Sequence, residues 1–373
     1  MKRIAVIGAG GFVGARFVEF GTLSGEWEIV PIIRSFKSAA RLARFGRCWR
    51  RADAADTRQL CGEITGCDAV VNLALGDFDS MASTAVSVWE ACAAAGVPLL
   101  IHLSSGEVFG RAEDPALNDD SPPLAGHWME YARGKAAAEL ALRSRFDDAS
   151  VSCIILRPGL IWGPRSPWVA GPAGQLVAGN AFLLGGGKGI CNLIYLDNLM
   201  HSILGVVESA RPASGCYNVG DDETVTWADY YHALAAQIGV DFSTVHQLSA
   251  SKYRAGLGDR LDGLRSTQLG KQLKQSLSKA AKQRIKRALH LLRGTEPASG
   301  PVPSGQPQVT RGDWHLQNTQ HKLPIAKFAA AFGPRNRYTF EAAMNLTGHW
   351  LRFAGYGNRW APAEIASSAQ AKS

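Results

Sequence analysis

The chain has 373 residues, 46% hydrophobic and 19% charged, and a formal net charge of +8. It reads as a globular chain long enough for one large domain with an appendage, or for two domains. No apolar run approaches the ~18 residues of a membrane helix, and the apolar part of the opening MKRIAVIGAGG is too short for a secretory leader, so the sequence reads as cytoplasmic. Its seven cysteines (Cys48, Cys61, Cys67, Cys92, Cys153, Cys191, Cys216) form no CxxC pair and no Cys/His cluster with ligand spacing, which points to reduced thiols and to no metal. The positive charge is local: Ser251 to Arg293 holds twelve Lys plus Arg against two Asp, a net +10, which leaves about −2 for the remainder. Basicity is therefore a property of one segment and not of the fold.

In chain order, KRIAVIGA predicts a strand, GFVGARFVEFGTL a helix, EIVPIIR and AVVNLAL two strands, STAVSVWEACAAAG a helix and PLLIHLSS a strand. EYARGKAAAELALRSRF then predicts a helix and VSCIILRPG a strand. Short β-branched runs alternating with longer helices imply right-handed crossovers and a doubly wound parallel α/β sheet, which binds ligands at the carboxyl ends of its strands.

The first turn, GAGGFVG, follows a strand and opens a helix, with Gly8, Gly11 and Gly14 spaced GxxGxxG and Phe12 and Val13 between them. Glycine lets the backbone turn tightly and approach a pyrophosphate, whose charge meets the free amides of the helix start. The second strand ends in Arg34, Ser35 and Lys37 without a carboxylate. Arginine holds a 2′-phosphate where an acid would hold a ribose hydroxyl, so the cofactor is NADP or NAD, with NADP favoured. Tyr131 and Lys135 lie at i and i+4 on one helix face, and a nearby ammonium favours a phenolate suited to acid/base work. The loop LSSGEVFG adds Ser104, Ser105 and Glu107 as further candidates.

These pieces, with ADAAD at 52–56, VVNLA at 70–74, LRPGLIWGP at 156–164 and NLIYLDNL at 192–199, resemble the extended short-chain dehydrogenases/reductases and, within them, the NAD(P)-dependent epimerase/dehydratase group. FGPRNRYTFEAAMNLTGHWL resembles the closing helix of that family. The resemblance implies a Rossmann-type fold with a smaller C-terminal substrate-binding part. It selects Ser105 over Ser104 as the serine that, with Tyr131, holds a substrate hydroxyl or carbonyl, and gives Lys135 to the nicotinamide ribose. It also implies that Asp53 and Ala54 lie against adenine, Leu73 and Ala74 along the cofactor and Pro158 beside the nicotinamide. Homodimerisation through two helices per subunit is the assembly it implies.

The resemblance also bears on Glu107. Relatives that eliminate water from nucleotide sugars present an acid pair or a glutamate here, and Gly106 stands where one dehydratase class has its aspartate. Glu107 is therefore either a catalytic base or a solvated loop carboxylate. A nucleotide-sugar epimerase, dehydratase or reductase is the first reading. Cys191 and Asn192 replace a phosphate-binding Arg-Asp pair, and Met81 and Ser87 replace asparagines. NLIYLDN resembles the hydroxysteroid dehydrogenase branch, which makes an apolar alcohol or ketone the second reading. A non-catalytic NADP-binding sensor or assembly factor is the third, although Tyr131 and Lys135 are both present.

The expected organisation is 1–165 for the cofactor domain, 166–244 and 319–360 for the substrate-binding part, 245–318 for a basic helical insertion with a Pro/Gly/Ser-rich loop, and 361–373 for a flexible tail. Across 268–293, Leu269, Leu273, Leu277, Ala281, Ile285, Leu289 and Leu292 fall at near-helical spacing. Such a helix would dock on the fold, bind a partner or lie peripherally on the inner membrane surface. With no aromatic residue in its basic run, nucleic acid is not an expected partner. His102, His127 and His201 read as structural or surface groups.

Overall fold

In the computed structural model the strand β1 (Arg3–Ile7) is an interior strand of a seven-stranded parallel sheet. The structure describes residues 1–45, 49–110, 114, 116–210, 212–250, 307 and 309–357. After β1 come α1 (Phe12–Ser24), β2 (Glu28–Ile33), β3 (Arg50–Arg51), α2 (Thr57–Ile64), β4 (Ala69–Asn72), α3 (Met81–Ala95), β5 (Leu99–Leu103), α4 (Glu130–Arg143) and β6 (Ser152–Pro158). The order across the sheet, with β10 (Gly215–Val219) at one edge, is β10-β6-β5-β4-β1-β2-β3. Strand order reverses between β1 and β4, and a doubly wound sheet opens its ligand crevice at such a switch point.

The central strands are nearly continuous apolar runs because helices cover both faces. Ile4, Val6, Val71 and Ile101 face α1 and α6 (Leu196–Glu208), while Ala5, Ile7, Val70 and Leu100 face α2, α3 and α4. Local chemistry ends these helices where the strands need them to end. Asp56 caps the start of α2, and α1 and α3 stop at Gly25 and Gly96, both left-handed.

A smaller part surrounds Trp162 and Tyr230, both fully buried. It is built from β7 (Leu160–Trp162), α5 (Pro167–Val177), β8 (Phe182–Leu184), β9 (Leu193–Tyr195), α7 (Trp227–Ile238), β11 (His246–Leu248), α8 (Arg311–Gln317), α9 (Ala326–Phe332) and α10 (Phe340–Phe353). Of these, α9 lies back on the seven-stranded sheet's side, where Phe328 and Phe332 join the cluster around α1 and α6.

Both ends of the 245–318 segment are tied to the fold. β11 pairs in parallel with β8, and on α8, which opens on a reciprocal Thr310–Asp313 capping box, Gln317 Oε1 accepts from the Leu184 amide at 2.8 Å and the Leu316 carbonyl from Trp227 Nε1 at 3.0 Å. The basic stretch Ser251–Arg293, its expected helix at 268–293 and the tail 361–373 lie outside the described residues.

Candidate active site

The cofactor cradle follows from three glycines and the strand ends around them. The chain leaves Ile7 through Gly8, at φ +79°, and enters α1 at Gly11, which offers no side-chain cap. The first amides of α1 are thus left to whatever binds there. A Cβ on Gly14 would lie 2.3 Å from the Gly8 carbonyl oxygen, and one on Gly8 would lie 2.9 Å from the Ala74 nitrogen and the Leu73 carbonyl. Only glycine lets this loop fold so closely on itself.

A cleft of about 840 Å³ runs from the cradle along the carboxyl ends of the strands. Its cofactor end is lined by Gly8, Gly11, Phe12, Val13, Gly14, Arg34, Asp53, Ala54, Leu73 and Ala74, and its other end by Ser105, Glu107, Tyr131, Lys135 and Pro158. The structure therefore brings all the residues expected to be catalytic or cofactor-binding to one cleft. This cradle, bare of side chains and ending at Arg34, fits a dinucleotide.

On α4, Tyr131 and Lys135 share the face turned to the cleft. Lys135 Nζ donates to the Leu103 carbonyl at 2.6 Å, and burial pushes its ammonium down to about 8, with Glu139 opposing. Burial also pushes the Tyr131 phenol up, the Glu107 charge adds to that, and a hydrogen bond with Ser105 works the other way. The ammonium is thus bonded to the Leu103 carbonyl.

The choice between the serines has a structural reason. Ser104 is buried, and its hydroxyl donates at 2.5 Å to Glu139, which also accepts from the fully buried Arg157. Ser105 caps the turn Gly106–Phe109 by accepting from the Glu107 amide at 3.1 Å and faces the cleft beside Tyr131. Ser104 belongs to a buried ionic network; Ser105 is open to a substrate.

Sequence reasoning set His127 aside as a structural or surface group and did not single out His315. Glu107 Oε1 lies 2.8 Å from His315 Nε2 and 3.3 Å from His127 Nε2, with both rings buried. His127 is therefore a buried member of the site, packed against Trp128 and His315. No spacing signals this group, because His315 arrives on α8 from beyond the basic segment. The three donor atoms lie within 4.8 Å of one another, a grouping able to hold a metal ion that no sequence spacing announced. His102 is structural: it contacts Asn72 across the sheet, and burial drives it down to about 3.

Met129, Leu160, Ile161, Pro167, Trp168 and Leu316 also line the cleft, along with the polar Asp77, Ser80 and Thr84. Apart from Arg34, Lys135 is the only Lys or Arg among the described lining residues, and its ammonium is bonded to Leu103.

The sequence matches the model of the NAD dependent epimerase/dehydratase family over residues 4–220. It is 28% identical over 275 residues to a 2-alkyl-3-oxoalkanoate reductase of Stenotrophomonas maltophilia, covering 66% of this chain and 81% of that one. It is also 28% identical over 171 residues to a UDP-glucose 4-epimerase of Mycolicibacterium smegmatis, covering 41% and 51%. In structure it is similar to a dTDP-glucose 4,6-dehydratase of Streptomyces venezuelae, with a TM-score of 0.66 and 19% identity over 94% of this chain and 97% of that one.

Proposed function

The chain belongs to the NAD-dependent epimerase/dehydratase family, and from that premise we propose that it is an NAD(P)-dependent reductase acting on the carbonyl of a largely apolar substrate. The observation that carries this reading is the substrate end itself, where Met129, Leu160, Ile161, Trp168 and Leu316 offer apolar surface. Among the described residues, no free Lys or Arg stands there to meet a nucleotide pyrophosphate. The similarity to a reductase of 2-alkyl-3-oxoalkanoates supports the same class. The reading thus adopts the second of the two substrate classes that the sequence left open.

In this mechanism the bound nicotinamide supplies hydride to the carbonyl carbon. The Ser105 hydroxyl and the Tyr131 phenol hold the carbonyl oxygen, and Tyr131, which keeps its proton, donates it as the oxygen becomes a hydroxyl. Lys135, anchored on Leu103, is placed to hold the ribose. The backbone of Gly8–Gly14 would take the pyrophosphate, and Arg34 would favour a 2′-phosphate and hence NADP.

Two observations favour a second reading, turnover of a nucleotide sugar: Glu107 lines the cleft, and the epimerase similarity covers part of the chain. Supplying NADPH with a long-chain 3-oxo ester, and separately NAD with UDP-glucose, separates the two. Oxidation of NADPH by the ester supports the first reading; conversion of the sugar with an inert ester replaces it with the second. A homodimer belongs to the proposal as well, and sedimentation velocity checks it.

A further inference from the structure

Asn192 stands where the sequence departs from its family, and the fold gives its amide a definite task. Between α8 and α9 the chain runs through residues 318–325 without regular structure and passes beside the turn that follows Ser105. The Asn192 side chain holds this run at two points: Nδ2 donates to the His321 carbonyl at 3.1 Å, and Oδ1 accepts from the Leu323 amide at 2.7 Å. A primary amide supplies donor and acceptor from one short side chain, which an ionised carboxylate or an alkyl group cannot do. The anchor is itself fixed, because the Asn192 carbonyl accepts from the Leu160 amide at 2.6 Å, two residues beyond Pro158.

What this grip controls is the Leu323 side chain. It is buried, and it packs with Val108 and Phe109 of the turn Gly106–Phe109 and with Ala136 of α4, the residue after Lys135. A Cβ on Gly106 would lie 3.1 Å from Leu323 Cδ2 and 3.3 Å from the Pro158 carbonyl oxygen. The turn is therefore in close contact with the leucine on one side and with the end of β6 on the other. Leu323 is a wedge between the two elements that bring Ser105 and Tyr131 within hydrogen-bond reach. Interiors packed this closely transmit a displacement of one side chain to its neighbours.

We propose that Asn192 is a positioning residue, which pins residues 321–323 so that Leu323 fixes the Ser105 turn against α4 at the spacing the reacting oxygen requires. The role rests on Ser105 and Tyr131 holding that oxygen, a premise common to the ketone and sugar readings above, and not on which substrate is turned over.

The link is read first without substrate, by hydrogen exchange and mass spectrometry on the whole protein. Asn192→Ala is expected to speed exchange of the 104–110 amides about tenfold or more, with the amides of β1 and β2 unchanged. Leu323→Val shortens the wedge while keeping both bonds; it is expected to shift exchange in the same direction, and it stands in should Asn192→Ala not fold. Exchange at 104–110 that ignores both substitutions overturns the proposal.

Turnover then separates positioning from general loosening. With NADPH and a long-chain 3-oxo ester, Asn192→Ala should lower kcat about 10- to 100-fold, with KM within about threefold of wild type. Placed on Ser105→Ala, the same substitution should cost less than about a further twofold, because no hydroxyl is left to position. Losses that multiply in full in the double variant overturn the role, since they would mark a defect independent of Ser105. If the ester is inert and UDP-glucose with NAD is converted, the ketone reading fails and the same cycle on the sugar decides Asn192. If neither reacts, both function readings fail, and the exchange result alone decides it.

Discussion

At the cofactor end the cleft is made by short local runs, each recognisable by itself: Gly8 to Gly14, Arg34, and Asp53 with Ala54, each at the end of a strand or in the turn after it. At the substrate end it is made by residues that only tertiary structure brings together, with Glu107 from one loop, His127 from another and His315 and Leu316 from α8. The first end presents mainly backbone to a pyrophosphate, with Arg34 beside it, so its specificity lies in shape, helix polarity and one side-chain charge. The second presents side chains, so its specificity lies in which of them happen to meet. One chain can therefore keep a cofactor site that is readable from its motifs while its substrate site is set by packing.

Separating the two ends by mutation is the largest test. Tyr131→Phe is expected to lower kcat/KM by ~10²–10⁴, the range of a lost acid/base group, with NADPH affinity within about twofold of wild type by fluorescence titration. An equal fall in cofactor affinity would break the division. Gly14→Val should do the converse, because its Cβ would lie 2.3 Å from the Gly8 carbonyl and force the loop open. An overpacking cost of about 2 kcal/mol corresponds to NADPH binding roughly 30-fold weaker. Retained affinity in a folded Gly14→Val protein would mean that the cradle does not hold the pyrophosphate.

Arg34→Glu sharpens the cofactor side. Losing a charge-assisted contact of about 1.5 kcal/mol should lower NADPH affinity roughly tenfold relative to NADH, and an unchanged ratio would assign Arg34 no part in the choice.

The last effect, on stability alone, belongs to Lys135, which joins the two ends. Its ammonium sits at about 8 in the fold against 10.5 ordinarily, so the unfolded chain binds this proton more tightly. The penalty is fully present below about pH 8 and is relieved as pH rises towards 10.5. Relative to Lys135→Met, the wild type should gain on the order of 1–3 kcal/mol across that window in chemical denaturation. A parallel pH dependence of the two proteins would mean that the lysine is not desolvated.

Much of the fold was legible because its information is local. The strands of the central sheet are apolar runs such as IAVI and LLIHL, helix caps sit beside them, and GAGGFVG is a strand-turn-helix within a few residues. Tyr131 and Lys135 were legible because helical periodicity puts them on one face. Their electrostatics were not: whether the ammonium acts on the phenol or on the Leu103 carbonyl depends on a strand that the helix only meets after folding. The His127–Glu107–His315 group was illegible for the same reason. Its members carry no common spacing, and α8, which opens on the capping box of Thr310 with Asp313, falls inside the 245–318 segment that the sequence assigned to an insertion.

The most direct measurement follows a deuterium atom. NADPH deuterated at the transferring position of nicotinamide C4 is incubated with the protein and a long-chain 3-oxo ester, and the product is analysed by mass spectrometry. The account predicts one deuterium on the new carbinol carbon with wild-type protein and its near disappearance with Tyr131→Phe. Unlabelled ester recovered intact, together with NAD-dependent conversion of UDP-glucose by the same preparation, would contradict it.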